Sequence, residues 1–299
     1  MVYQEVAPEI IEVFNASENP KKCFDLWDKA AKWIEENPTA IHPDDVKMFF
    51  AHSTPVIAFL ETYDWDLNKA FSGLISIARK RHDDPTTDVK LTDFPRDYHD
   101  LGALLPNLTD KNGRPVLWVR SIDPPEMFYP QVMRMSAWVT DRFCERVSSC
   151  HMKPGLVFDC QVMTTSLRLL KDIITMLLQR CPPWIEYIAV AGLGPYFRFF
   201  ARLVRAFLPR YLKDSLTFID IDDLPNLFEL KDLPVYLGGE VKLLSDSDMD
   251  KCPSLTEYSK ILGVDPIIFE KWRENVHTKY AKYSKANKLK AIDMIEQSA

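Results

Sequence analysis

Apolar positions over the first eighty residues recur at helical spacing. In residues 21–37, Phe24, Trp27, Ala31 and Ile34 fall at i, i+3, i+7 and i+10, and Pro38 closes the run. Shorter helices are predicted over 43–50, 55–63 and 67–81. The last keeps Ala70, Phe71, Leu74, Ile77 and Ala78 on one side, with Asp66 placed to cap its start. Residues 82–90, with Asp83, Asp84, Pro85, Thr86 and Thr87, are polar and read as a linker.

Beyond that linker the period changes. Four short runs rich in β-branched or aromatic residues, 115–122, 155–160, 187–191 and 216–221, alternate with helical stretches at 129–147, 166–179 and 196–208. That alternation predicts βαβ crossovers, hence an α/β protein with a mixed, mostly parallel sheet flanked by helices. Asn112-Gly113 is a strong turn signal that pairs the first run with 103–108 as a hairpin. After Glu240 the charged helical pattern returns over 255–262 and 266–294. There Lys279, Lys282, Lys285, Lys288 and Lys290 make a basic run, read as a solvated helix face. The expected organisation is a helical lobe over 1–90, an α/β domain over 91–241 and a helical extension over 242–299.

Composition narrows the class. With 46% hydrophobic and 12% aromatic residues in 299, the chain can bury a sizeable core. Its 37 basic and 43 acidic residues sum to −6, which gives it no electrostatic reason to seek nucleic acid. Nine glycines against 21 prolines suit helices punctuated by proline and exclude a hairpin-rich all-β fold. Residues 1–14 lack the basic and apolar regions of a secretory signal. The longest apolar stretch, 185–208, is broken by Gly192, Gly194, Pro195 and three arginines, so no membrane span is expected. The cysteines (Cys23, Cys144, Cys150, Cys160, Cys181, Cys252) show no CxxC or metal spacing, and reduced thiols in a cytoplasmic protein are expected.

The usual signatures of catalysis are missing. No GxSxG, HExxH, GxxxxGK[ST] or GxGxxG is present. Gly192-Leu193-Gly194-Pro195 sits where a phosphate loop would, but Pro195 removes an amide donor, so it reads as a strand-to-helix turn. Cys150-His151 reverses the order of a phosphatase loop and has Leu156 where that loop's arginine would stand. Asp220, Asp222 and Asp223 follow a buried strand and read as caps of the next turn rather than as metal ligands. His42, His52, His82, His99, His151 and His277 are scattered. The expectation is a protein that is not an enzyme and carries neither cofactor nor metal.

Residues 196–208 stand apart. At 100° per residue, Arg198, Arg202 and Arg205 form one narrow basic stripe, while Tyr196, Phe197, Phe199, Phe200, Leu203, Val204, Phe207 and Leu208 cover the rest. Such a helix must bury two faces, or bury one and offer the other to something apolar. Each Phe or Leu buried contributes roughly 1.5–3 kcal/mol, and each arginine near an anionic leaflet about 1 kcal/mol. Together they suffice for reversible attachment to a membrane surface. The competing reading is a core helix whose arginines reach out to water.

Several segments, in order, resemble the CRAL-TRIO lipid-binding and lipid-transfer family over about 47–241. Phe59-Leu60, Tyr63-Asp64-Trp65-Asp66-Leu67, Lys69-Ala70 and Leu74 resemble its N-terminal helical signature, placing that part of the lobe from about residue 43. Asp110-Lys111-Asn112-Gly113-Arg114-Pro115-Val116 is similar to its turn into the first core strand, and Val157-Phe158-Asp159 to its central strand. Phe207-Leu208 resembles the end of its gate helix, and Leu233-Pro234-Val235-Tyr236-Leu237-Gly238-Gly239 its closing segment. Within the family, Trp118-Val119-Arg120 and 138–143 are similar to motile-sperm-domain-containing proteins.

The resemblance implies the CRAL-TRIO fold, with an N-terminal helical lobe and a gate helix at 196–208 over an apolar pocket. The pocket and gate residues would be Val157, Ile188, Val190, Tyr196, Phe197, Phe200, Leu203, Val204, Phe207 and Leu208. Arg198, Arg202 and Arg205 would meet anionic headgroups, and Gly192, Gly194, Gly238 and Gly239 would serve as hinge or closing positions. The implied ligand is one hydrophobic molecule, a phospholipid, sterol or similar, exchanged during transient contact with an anionic membrane. Phosphatidylinositol-transferring members carry Glu after their "YP" proline and Lys at the start of the strand after the gate. Here Pro183 and Ser215 stand there, with Cys181 for the tyrosine, so phosphatidylinositol is not implied. A different class of function is a protein-interaction or membrane-tethering module with an occluded pocket, working through its C-terminal helices.

Overall fold

The computed structural model describes residues 6–120, 122–161, 168–182, 184–193, 205 and 213–278. Five helices open the chain: α1 Pro8–Ala16, α2 Pro20–Glu36, α3 Pro43–Ala51, α4 Thr54–Thr62 and α5 Leu67–Asp83. A proline stands in the first turn of each of the first four, where its missing N–H removes no helical hydrogen bond. Asn19 caps α2 through Lys22 N, and Asp66 accepts from Asn68 N and Lys69 N to cap α5, as its position before the apolar stripe predicts. α1 is an addition to the expected set; Ile10 and Phe14, four apart, are its buried contacts. The helices share a core in which Trp27 stacks on Phe49 at 4.9 Å and meets Phe14 edge-on at 5.9 Å.

A five-stranded sheet follows: β1 Leu104–Thr109, β2 Pro115–Arg120, β3 Gly155–Asp159, β4 Tyr187–Ala191 and β5 Leu216–Ile219, in that spatial order. β1 runs antiparallel to β2, and the rest are parallel. The hairpin turn is held by the Asp110 carboxylate, which accepts from Asn112 N and Arg114 N at 2.9 Å each, with Gly113 at φ 81°. Three of the four core strands end one or two residues earlier than predicted, because pairing stops where the chain turns.

α7, Tyr129–Cys150, joins β2 to β3, and α8, Arg168–Arg180, joins β3 to β4; α6, Arg96–Asp100, precedes the sheet. Alternation divides each strand between two cores. Leu117, Val119, Leu156, Phe158, Ile188, Val190 and Leu216 face α7 and α8, while Val116, Trp118, Val157, Ala189 and Ala191 face the segment that follows β5. That segment starts with Asp220 and Asp223 capping one another, the role predicted for them.

The C-terminal part is continuous with the core. Tyr258 in helix Leu255–Ile261 and Phe269 in helix 266–278 close edge-on around Phe128, at 5.2 and 6.0 Å. Trp272 stacks on Tyr98 and donates its indole N–H to the Asp123 carbonyl at 2.8 Å.

Two expectations change. The stretch read as a linker, 82–90, begins inside α5, which runs to Asp83, and several of its polar groups are engaged. Arg180 in α8 donates to the Asp84 carboxylate at 2.6 Å and to Asp141 in α7 at 2.7 Å, and Thr86 donates to Asp141 at 2.8 Å. Arg81 of α5 adds an ion pair to Asp45 at 2.8 Å and lies 3.7 Å from Asp141. Charges this deep persist only when paired, so the network orients the helical lobe on the sheet. The second change is chemical: Cys144 in α7 and Cys181, just after α8, are joined as a disulfide, so the thiols are not all reduced. Their Cα atoms lie 6.0 Å apart across the helix pair, a proximity that 37 intervening residues conceal in the sequence.

Candidate functional site

Two features lie on opposite faces of the sheet. The first is a buried polar cluster at the carboxyl ends of β2 and β3, where Arg120 and Asp159 are register partners. Arg120 Nε lies 3.6 Å from Asp159 Oδ2, its Nη1 donates to the Leu101 carbonyl at 2.6 Å, and its guanidinium stands 3.4 Å over the Tyr236 ring. The Tyr236 hydroxyl donates to Asp159 Oδ2 at 2.6 Å and accepts from Trp118 Nε1 at 2.8 Å, while Gln161 N donates to Asp159 Oδ1 at 3.0 Å.

Burial, followed by the Asp159 charge, holds the Tyr236 phenol well above its usual pKa, so it remains a proton donor. The neighbouring Cys160 thiol is pushed up to about 12, chiefly by burial, and is not a nucleophile near neutral pH. The cluster fastens the loop carrying Tyr236 to the end of the sheet.

The second feature is an apolar cleft on the face covered by α7 and α8. It encloses about 40 Å³, and the rest of its space is open to solvent. Its walls are Phe143, Cys144 and Val147 of α7, Ile174, Leu177 and Leu178 of α8, Cys181, Pro182 and Ile185, and its floor includes Leu156, Phe158 and Ile188. Every one of these side chains is apolar, so an occupant loses no hydration to an unmatched polar wall and would itself have to be apolar. A larger cleft, about 310 Å³, lies between α6 and residues 234–250. Its rim carries the ion pairs Arg96–Asp250 and Lys242–Asp246, so it does not offer an apolar lining.

The structure separates the strand residues singled out in the sequence. Ile188 and Val190 face α7 and α8, with Ile188 in the cleft floor, but Val157 is in register with Ala189 and points to the other face. The period of two makes this unavoidable, since Val157 neighbours Phe158, which faces the cleft. Val157 therefore does not line a pocket with the other two.

Gly192 and Gly238 have φ of 71° and 94°, a region that disfavours a side chain. Gly239 is constrained differently: a Cβ there would overlap the Leu233 carbonyl. Ser215 uses its carbonyl to accept from Ile188 N at 2.7 Å. Arg205 is half-exposed, with its Nη2 3.9 Å from Asp214. Tyr196, Phe197, Arg198, Phe200, Arg202, Leu203, Val204, Phe207, Leu208, Gly194 and Pro183 lie outside the described residues.

Arg120, Asp159, Trp118 and Tyr236 were not singled out as site residues from the sequence. A signal existed for two of them: Arg120 and Asp159 are the charged residues that end otherwise apolar strands, where an ion must find a partner or leave the core. Nothing local links them to Tyr236.

With this geometry in place, comparison with known proteins gives the class. Residues 101–239 match the CRAL/TRIO domain model, so this part of the chain is similar to that domain. The fold agrees with a solved structure, the crystal structure of Sfh5, at a TM-score of 0.50 and 14% identity, covering 82% of this chain and 96% of that one. No curated protein sequence matches. That match supports a lipid-binding or lipid-transfer role with a hydrophobic ligand. Among the described residues no helix is long and apolar enough to cross a membrane.

Proposed function

We propose that this protein carries one hydrophobic molecule in the cleft against β3 and β4 and exchanges it at membrane surfaces. The observation that carries this reading is the uniformly apolar wall between α7 and α8, within a domain whose family supports lipid binding. In this proposal 196–208 is the gate. The aromatic positions of that stretch enter the leaflet, and Arg198, Arg202 and Arg205 meet anionic headgroups. Gly192 and Gly194 on one side and Gly238 and Gly239 on the other are the flexing points. The protein works as a carrier without catalytic chemistry, in the cytoplasm and transiently on membranes.

The test is direct. The purified protein is extracted with organic solvent and the extract analysed by mass spectrometry, then the delipidated protein is offered phospholipid and sterol vesicles. A stoichiometric lipid, or uptake of one, is expected. Neither being found would sink the carrier reading. A protein-contact role for the C-terminal helices has its own support in the exposure of Ile261, Ile267 and Ile268. Such a role is compatible with an empty cleft and would gain from that outcome.

A further inference from the structure

The Cys144–Cys181 bond stands in the wall of the apolar cleft. It joins α7 to the residue that follows α8, the two elements whose separation sets the width of the cleft. Cys144 is buried and Cys181 is partly exposed, so one sulfur of the pair is open to attack. Each sulfur also faces a backbone carbonyl of the opposite element: Cys144 Sγ lies 3.7 Å from the Arg180 carbonyl and Cys181 Sγ 4.0 Å from that of Thr140. Once the bond breaks the sulfurs move apart, and each thiol then has a carbonyl acceptor of the opposite element close by.

The neighbouring contacts survive loss of the bond. Arg180, one residue before Cys181, remains tied to Asp141 at 2.7 Å and to Asp84 at 2.6 Å. Breaking the bond thus frees the wall locally while the end of α8 stays anchored.

We infer that the Cys144–Cys181 pair is a redox-controlled fastening of the cleft, which slows ligand exchange when oxidised and releases it when reduced. The inference rests on the cleft being the cargo site. In the reducing step a dithiol attacks Cys181 Sγ, the sulfur bond to Cys144 breaks, and the mixed disulfide is resolved by the dithiol's second sulfur. Two electrons and two protons pass to the protein as two thiols, and the dithiol leaves as its own disulfide.

The experiment compares three proteins: the oxidised chain, the same chain treated with dithiothreitol, and Cys144→Ser/Cys181→Ser. Alkylation and mass spectrometry establish the state of both cysteines, and circular dichroism verifies the fold. Each protein is then given phosphatidylcholine vesicles containing pyrene-labelled phosphatidylcholine, and the rate of probe transfer is measured. The reduced chain should transfer the probe roughly fivefold faster than the oxidised one or more, the scale of a modest coupling between two sites. The double variant should match the reduced chain and ignore dithiothreitol. Equal transfer by oxidised and reduced protein, or an unchanged dithiothreitol response in the double variant, overturns the switch while leaving the cargo reading standing. Transfer in neither state overturns the cargo reading, and the switch with it.

Discussion

The Trp118 indole donates to the Tyr236 hydroxyl at 2.8 Å, joining the middle of β2 to a loop 118 residues later. Tyr236 passes the contact on to Asp159, so one phenol closes a chain of buried polar groups. The Tyr236→Phe variant removes both bonds and leaves Trp118 Nε1 and one Asp159 lone pair unmatched. A loss of about 1–3 kcal/mol is expected, read from urea denaturation midpoints with an unchanged slope. A loss below measurement error would show that water replaces the hydroxyl without cost.

Arg180 serves Asp141 and Asp84 at once and is almost wholly buried. Replacing it with Met keeps the volume but leaves Asp141, itself buried, with Thr86 and the longer Arg81 pair in place of its closest cation. Destabilisation of about 3–5 kcal/mol is expected, and combining it with Asp141→Asn should recover part of the loss, because the uncompensated charge is then gone. Additive losses in the double variant would contradict the network.

His99 is buried, and burial lowers its pKa even though its ring bonds the Leu91 carbonyl at 2.8 Å, which acts the other way. A depressed folded pKa means that the unfolded chain takes up the proton first as pH falls. The contribution is therefore complete above the ordinary imidazole value of about 6.5 and is lost as pH falls through the folded value. Denaturation midpoints should decline from pH 7.5 to 5.5 more steeply in the parent protein than in His99→Asn. Identical slopes would remove His99 from the acid response.

The arginine stripe gives a prediction about membranes. Changing Arg198, Arg202 and Arg205 to Ala should weaken sedimentation with anionic vesicles by about 3 kcal/mol at most, leave neutral vesicles unaffected and preserve the thermal midpoint. Vesicle binding as strong as the parent's would take the stripe out of the contact.

Much of the architecture was legible beforehand, for reasons that are local. The helical period at Phe24, Trp27, Ala31 and Ile34 appears as α2, the strand runs appear as β2 to β5 with boundaries shifted by a residue or two, and Asp66 and Asp110 cap and turn the chain where they stand. A hydrophobic stripe or a cap needs only its own neighbours, so its meaning survives without the rest of the molecule. The ordered motifs likewise pointed to a resemblance to the CRAL-TRIO family, and residues 101–239 match its domain model.

Side-chain convergence was not legible. Whether Val157 or Ile188 faced the cleft depended on the register between β3 and β4, and a step of one residue reverses every assignment. Cys144 and Cys181 carried no spacing signal, and only the packing of α7 against α8 made them partners. Arg180 and Asp84 are separated by 96 positions, and Trp118 and Tyr236 by 118. The sequence by itself determined the periods, the caps and the order of elements, all set by short-range sterics and burial. Tertiary structure alone decided which apolar face became a cleft and which charges were paired, because those outcomes depend on what distant segments bring to within a few ångströms.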